Sequence, residues 1–396
     1  MTGAREIVTR RRALASLGAL AGLTSTGCAS AKATTTGVAA PGVAARPNPG
    51  TVLWQSRPLV DGEYVLNVVP AGGVVCVGDG FGNVYGLNAA TGATLWRRTF
   101  RDNSSGYLPL AAAGGRVFAV GSGRVAALSA ATGRQLWSVP AAGVEPSFPP
   151  RLPTYFVIYA NGVVCVLGAY GAGVAGLDPR TGRPIWRRPP PSGGFGAGAA
   201  ADNGVLYVAE ISPRGVAALD VRTGQPRWTA PAPSVASTLL ALDSVIVCTP
   251  TSSPSYNAGY LTFALDKATG RPLWRANFDK ATYSSIAGEG DRVYVHVDLL
   301  NGAATEGNAI YALAARTGRK LWYRAFPSQS IGGTIVAADG LLYASFTQGG
   351  LRALSLTTGA DVWQRSDLGV TSITPGPQVI YASVPGPPDT IYAIGS

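Results

Sequence analysis

Seven times along this chain the pattern Thr-Gly-x-x-x-Trp appears, and the residues that close it, Trp96, Trp137, Trp186, Trp228, Trp274, Trp322 and Trp363, follow one another at intervals of 41 to 49 residues. Each copy also opens alike. Ten positions before the Trp stands a small residue (Gly86, Ala127, Gly176, Ala218, Ala264, Ala312 or Ala353), and Leu follows it. Self-similarity at this period, with room for four short strands, predicts the blade of a β-propeller. A flat indole needs a shallow seat, which the small residue supplies. The Thr-Gly turn supplies the one residue type that takes a positive φ without strain. Upstream of each unit another apolar run is entered from its own turn, as at Gly72-Gly73, Gly114-Gly115, Asn203-Gly204 and Asp339-Gly340. Each period therefore reads as strands A, B, C and D, with A to B and C to D joined tightly.

Composition agrees with this. Of 396 residues 52 are Gly and 29 Pro and only 13% are charged, which disfavours a helix-rich fold. At 46% hydrophobic the chain can bury a large core, so wholesale disorder is excluded. An eighth unit is split. The chain ends in VIYAS (379 to 383) and TIYAIGS (390 to 396) before any closing Trp, whereas Thr51 to Ser56, with Trp54, has the form of a D strand lacking its own A, B and C. The expected architecture is an all-β, eight-bladed propeller over residues 51–396, four antiparallel strands to a blade, closed by the N-terminal strand joining the C-terminal blade.

Residues 1–28 read as an export signal. Arg10, Arg11 and Arg12 precede an apolar run from Ala13 to Leu23, too short for a membrane-spanning helix of ~20 residues. The Thr-Arg-Arg-Arg-Ala-Leu stretch resembles a twin-arginine signal. Ser25-Thr26-Gly27-Cys28 resembles a lipobox, with Ser25 where Leu is usual, so Cys28 is the expected lipidation site. Residues 29–50 are Ala, Thr, Gly and Pro with almost no bulky side chain and are expected to be a flexible tether. Removal of residues 1–28 takes away four Arg and one Glu and lowers the net charge from +11 to +8. The expected location is the outer face of the cell membrane, or the exterior if Cys28 is not lipidated.

Cys76, Cys165 and Cys248 sit inside apolar strands and read as small core residues, an odd count that does not form a disulfide framework. The one His, His296, lies in an alternating strand with no partner at metal-ligand spacing, so no metal site is expected.

The repeat A-L-D-x-x-T-G-x-x-x-W, clearest from Ala218 to Trp228 and from Ala264 to Trp274, resembles the PQQ-like β-propeller repeat. Within that superfamily an eight-bladed lipoprotein resembles the BamB type, which implies a non-catalytic scaffold for assembling outer-membrane barrels, a role that requires an outer membrane. Other members are quinoprotein alcohol dehydrogenases that use pyrroloquinoline quinone and calcium. Those enzymes carry an adjacent Cys pair, which this chain lacks, and no C-x-x-C-H occurs. All eight Trp are taken up by the repeat, and Glu145, Glu210, Asp298 and Glu306 show no acid/base spacing. No cofactor and no catalytic residue are therefore expected. A propeller that senses a glycan or cell-wall fragment is the third reading, since a fold does not choose a function.

Alternation puts the A–B and C–D turns on one face and the B–C and D–A connections on the other. Length variation falls on the second: Ala141 to Thr154, Pro189 to Ala200, Pro250 to Gly259 and Asp298 to Asn308. This is the expected partner face, with Phe148, Arg151, Tyr155, Tyr170, Tyr256 and Tyr283 as anchors. Over the eight positions before each repeat Trp, ten basic residues (Arg134, Arg180, Arg183, Arg222, Arg227, Lys267, Arg271, Arg316, Arg319, Lys320) outnumber four acidic ones (Asp178, Asp220, Asp266, Asp361), and all the basic ones fall in blades 2 to 6. Such a patch suits anionic lipid or a cell-envelope polymer. The expected partners are an unidentified protein or envelope polymer and, through the lipid anchor, the membrane. Nucleic acid is not expected, and the protein is expected to be a monomer.

Overall fold

The computed structural model describes residues 47–59, 64–100, 108–121, 123–141, 155–168, 173–250, 260–278, 281–301, 304–327, 331, 335–346, 349–386 and 388–396. These residues form 32 strands and no helix. The strands pair into eight separate four-stranded antiparallel sheets. Blade 1 spans 65–99, blade 2 110–140, blade 3 155–188, blade 4 195–231, blade 5 236–278, blade 6 281–327 and blade 7 336–365; blade 8 joins 372–395 to strand Val52–Ser56. Every A strand contacts the A strand of the next blade, and the A strand of blade 8 contacts that of blade 1, so the A strands line the axis and the ring is closed.

Burial follows from position in the blade. Strand B has a neighbouring blade on both faces, so Val74–Asp79 and Val163–Gly168 are buried throughout, and continuous apolar runs replace alternation. Strand D is outermost, and in Thr94–Thr99 only Trp96 is partly covered. The core is the set of layers between blades. Leu240, Val245 and Val247 of blade 5, for example, interdigitate with Ile286, Val293 and Val295 of blade 6.

The repeated Trp and Gly form a latch between blades. Within a blade each Trp pairs across the C–D ladder with the expected small residue: Gly86 with Trp96, Ala127 with Trp137, Gly176 with Trp186, Ala218 with Trp228, Ala264 with Trp274, Ala312 with Trp322 and Ala353 with Trp363. The indole then lies over the turn Gly of the following blade. A Cβ built on Gly92, Gly133, Gly182, Gly224, Gly270 or Gly318 falls 2.5–2.7 Å from the ring of the preceding Trp, closer than any real contact. The same glycines have φ between +66° and +73°, so the turn and the packing both demand glycine. Indole Nε1 also donates to a carbonyl in that turn, as Trp96 to Ala130 (2.8 Å), Trp186 to Val221 (2.7 Å) and Trp274 to Ala315 (2.7 Å).

Closure by the N-terminal strand reproduces this unit across two ends of the chain. Trp54 pairs with Ala393 and Ser56 with Ile391. Gly50 N donates to Gly395 O (2.9 Å) and Gly395 N to Thr51 O (2.9 Å), the two bonds that the unbroken turn of blade 1 makes between Gly92 and Asn88 and between Asn88 and Ala93. Gly50, at φ +76°, receives the ring of Trp363, but more loosely than the other turn glycines: a Cβ there would lie 3.1 Å from the ring, and the buried Trp363 Nε1 makes no hydrogen bond.

One expected connection is corrected. Asp298 to Asn308 is not a variable loop, because strands Arg292–Asn301 and Ala304–Ala314 continue as one long hairpin paired from Arg292↔Ala314 to Asn301↔Ala304, with a single register shift between Leu299 and Leu300. Alternation simply carries further in blade 6 than in its neighbours. Part of Pro189 to Ala200 is likewise the start of strand Phe195–Asp202.

Candidate functional site

The two faces of the ring differ as strand alternation requires. On the turn face, A–B connections have two or three residues and C–D connections five or six. On the loop face, B–C and D–A connections range from two to fourteen residues, the longest lying between Pro140 and Tyr155. Of the expected anchors, Phe148, Arg151, Tyr170 and Tyr256 lie outside the described residues. Tyr155 opens strand A of blade 3 and Tyr283 lies in strand A of blade 6, so both stand at the loop-face ends of inner strands; only their backbone is described. Cys28 and residues 1–46 also lie outside the described residues.

The turn face is organised by its aspartates. Asp178 Oδ1 accepts Arg180 N (2.9 Å), Thr181 N (2.8 Å) and the Thr181 hydroxyl (2.9 Å), and Asp220 and Asp266 do the same in blades 4 and 5. The hydrogen bond from Arg227 holds the Asp220 carboxyl below its ordinary range, and that from the Thr269 hydroxyl does so for Asp266. These carboxylates shape the Thr-Gly turn and are engaged by backbone.

Part of the basic excess on this face is also engaged. Lys267 Nζ binds the Asp202 carboxylate and the carbonyl of Leu242 (2.7 Å), tying the C–D turn of blade 5 to the A–B turns of blades 4 and 5. Arg227 pairs with Asp220 at 2.7 Å and Arg316 with Asp266 at 3.7 Å. Arg134, Arg180, Arg183, Arg222, Arg271, Arg319 and Lys320 are exposed and make no salt bridge among the described residues. The A–B turns add charges that the spacing of the Trp repeat does not count. Asp202, Asp243, Glu289, Asp291 and Asp339 lie at these inner turns against Arg116 and Arg292, so acidic residues predominate near the axis and basic ones toward the rim. A shallow recess of about 380 Å³ between blades 2 and 3 is lined by Arg116, Tyr159, Asp178 and Arg180.

Beneath the loop face lies a polar layer that sequence reasoning missed. The fifth residue of strand B is Gly78, Val120, Leu167 and Ala209 in blades 1 to 4, but Thr249, His296, Ser345 and Ser383 in blades 5 to 8. All eight are buried. In blade 6, Ser285 Oγ lies 3.3 Å from His296 Nδ1, and His296 Nε2 lies 3.3 Å from Asn308 Oδ1. The same oxygens accept backbone N–H groups from the connection to blade 7, Ile335 at Ser285 (3.4 Å) and Ile331 at Asn308. In blade 7 the Ser345 hydroxyl donates to Val370 O in the connection to blade 8, and Asn67 of blade 1 donates to Leu108 O (3.1 Å) before blade 2. Asp389 of blade 8 accepts Val65 N of blade 1 at 2.9 Å. These side chains pin the path into the next blade. Blades 5 and 8 differ: Thr238, Thr249 and Thr262 face one way across strands A, B and C of blade 5, and their buried hydroxyls, like that of Ser383 in blade 8, have no partner. The signal was present in the sequence as polar residues interrupting otherwise apolar B strands.

Cys76, Cys165 and Cys248 are free, buried and distributed over blades 1, 3 and 5. Burial pushes the thiols of Cys76 and Cys165 up to about 12. Among the described residues no three His, Cys, Asp or Glu side chains converge as a metal site would require. The Trp residues stand on the outermost strands, away from the axis.

Comparison with known proteins follows the architecture. A sequence family described as "Outer membrane protein assembly factor BamB" matches residues 42–193, 170–258 and 255–374. No curated protein matches the sequence. Among solved structures, BamB from Moraxella catarrhalis superposes with a TM-score of 0.59 at 18% identity, covering 85% of this chain and 97% of that one. The quinohemoprotein alcohol dehydrogenase from Comamonas testosteroni gives 0.64 at 16% identity over 87% of this chain and 76% of that one. The computationally designed Ika8 protein gives 0.66 at 13% identity over 87% of this chain and all of that one. At these identities the structural likeness speaks to the fold alone.

Proposed function

The chain belongs to the PQQ-like propeller family described by outer membrane protein assembly factor BamB, and from that membership we propose that it is an exported, membrane-anchored and non-catalytic scaffold that binds a protein on its loop face. The observation that carries this reading is the asymmetry of the ring. One face is held to nearly constant turns by Asp, Thr, Gly and Trp, while the other carries connections of two to fourteen residues on a closed, latched frame. Variable loops on a rigid scaffold are where recognition residues are placed. Export and the anchor rest on the Arg10-Arg11-Arg12 signal and Cys28.

The absence of chemistry is also part of the proposal. Its support is that the described thiols are separated into three blades, that the indoles are spent on latches at the rim, and that the buried Ser285–His296–Asn308 cluster is engaged in holding the connection to blade 7. A quinone held at the axis would find no Cys pair and no indole platform among the described residues.

The test is affinity capture of the membrane-anchored protein after crosslinking, compared with a Phe148→Ala/Tyr256→Ala variant. A specific protein partner lost from the variant is expected. Retention of every partner removes the loop face from consideration, and absorbance changes on quinone titration reinstate an enzyme.

A further inference from the structure

The chain enters the ring on the turn face, at the junction of blades 7 and 8. Asn48 O accepts Thr51 N (3.1 Å), Gly50 bonds Gly395 and seats Trp363, and strand Val52–Ser56 then runs toward the loop face. Around this point the surface differs from the rest of the rim. The C–D turns of blades 7 and 1, Thr357 to Ala360 and Ala89 to Ala93, contain no charged side chain, whereas those of blades 2 to 6 carry all the basic turn residues. On the outer strands of these blades the residue before each Trp is an exposed aliphatic: Val362 is 53% exposed in blade 7, Leu53 45% in blade 8 and Leu95 48% in blade 1. The corresponding Leu136, Leu273 and Leu321 of blades 2, 5 and 6 are packed against the layers between blades, blade 4 has Arg227 at this position, and Ile185 of blade 3, 49% exposed, stands beside the basic turn of Arg180 and Arg183. Asp361, the one acid beside Val362, is neutralised by Arg324 at 2.6 Å and Arg352 at 3.8 Å.

Residues 29–46 separate Cys28 from the first described residue. An 18-residue coil would reach about 23 Å, so an acyl chain on Cys28 would hold the blade 7–8–1 sector near the bilayer at high local concentration. A rim whose C–D turns carry no charge, with projecting aliphatics and with the exposed Arg57, Arg97 and Arg98 on and beside its outer strands to meet headgroup phosphates, fits the interfacial zone of a membrane. We infer that the sector of blades 7, 8 and 1 is a lipid seat: Val362, Leu53 and Leu95 insert at the headgroup boundary, and the loop face is thereby turned away from the membrane toward its partner. This inference rests on the anchored reading above.

Site-specific depth measurement tests it. The acylated full chain, carrying Leu53→Cys, Leu95→Cys, Val362→Cys or Ile185→Cys singly, is labelled with an environment-sensitive fluorophore and bound to phosphatidylcholine/phosphatidylglycerol vesicles. The buried native thiols do not label in the folded protein. Ile185 is the reference, because it occupies the same repeat position in blade 3, is 49% exposed and lies away from the chain entry. Quenching by lipids spin-labelled near the headgroup should be at least 2-fold stronger at 53, 95 and 362 than at 185. Protein that floats with vesicles but is quenched equally at all four positions overturns the seat and leaves the anchor standing. Protein that does not float overturns the anchor and the seat together.

Discussion

At Gly224 two requirements meet that are usually separate. Its φ of +70° is a conformation that costs an L-residue about 1 kcal/mol, and a Cβ there would lie 2.5 Å from the Trp186 ring of the preceding blade. Gly72 shares the first requirement, at φ +74°, but has nothing within 4 Å. Gly72→Ala should therefore lose only the backbone cost, and Gly224→Ala should lose a further 1–3 kcal/mol through displacement of the indole, roughly as overpacking costs elsewhere. Urea unfolding of the two variants measures the difference, and equal losses would show that the latch contributes nothing. The Thr249 and Ser345 hydroxyls form a second such pair. Thr249 has no partner, so isosteric Thr249→Val should be neutral or stabilise by up to about 1 kcal/mol. Ser345→Ala leaves Val370 O unpaired and should cost about 1–2 kcal/mol. A destabilised Thr249→Val in the same assay would mean that bound water completes the blade 5 row.

At the scale of strands and turns, most of the fold was legible because its rules are local. The small residue opposite each Trp, the Thr-Gly turn and the tight A–B turn are fixed by steric demands that fall within one period, so each copy states them again. The blade-to-blade use of the same glycine was not legible, since nothing in a single copy says that the indole of one unit covers the turn of the next. The hairpin of blade 6 was misread for a related reason. Asp298, Asn301 and Asn308 are turn-forming residue types, but here Asn308 faces inward and binds Asp298 and the connection to blade 7, so a tertiary partner outweighs local preference. The basic patch was half legible. Counting along the repeat finds the outer turns, whereas the acidic inner turns share the face only because strand A ends beside strand C in space. The candidate partner face was legible as length variation and not as chemistry, because connection lengths are free to drift once the strands are latched.

The whole molecule is a ring with one seam. Eight inner strands contact in sequence and return to the first, yet one C–D turn of the eight is replaced by hydrogen bonds between Gly50, Thr51 and Gly395. Deleting residues 47–56 should expose strand Thr390–Gly395 as an unpaired edge and uncover the Trp363 ring. The expected result is loss of the single thermal transition and concentration-dependent association in sedimentation; a monomer that still melts in one step would show that blade 8 is dispensable for closure.

The seam also decides how the ring carries load. Any pull on the protein through the segment that precedes Pro47 arrives first at strand Val52–Ser56, whose bonds to Tyr392 and Ile391 lie across the strand axis. A force directed away from the turn face acts along that axis and strains those bonds together, in shear, where they resist best. A force directed outward from the rim would open them one at a time, like a zip. The molecule is thus strong against being drawn away from whatever holds its N-terminal segment and weak against being peeled sideways, a mechanical polarity that its eightfold repetition conceals.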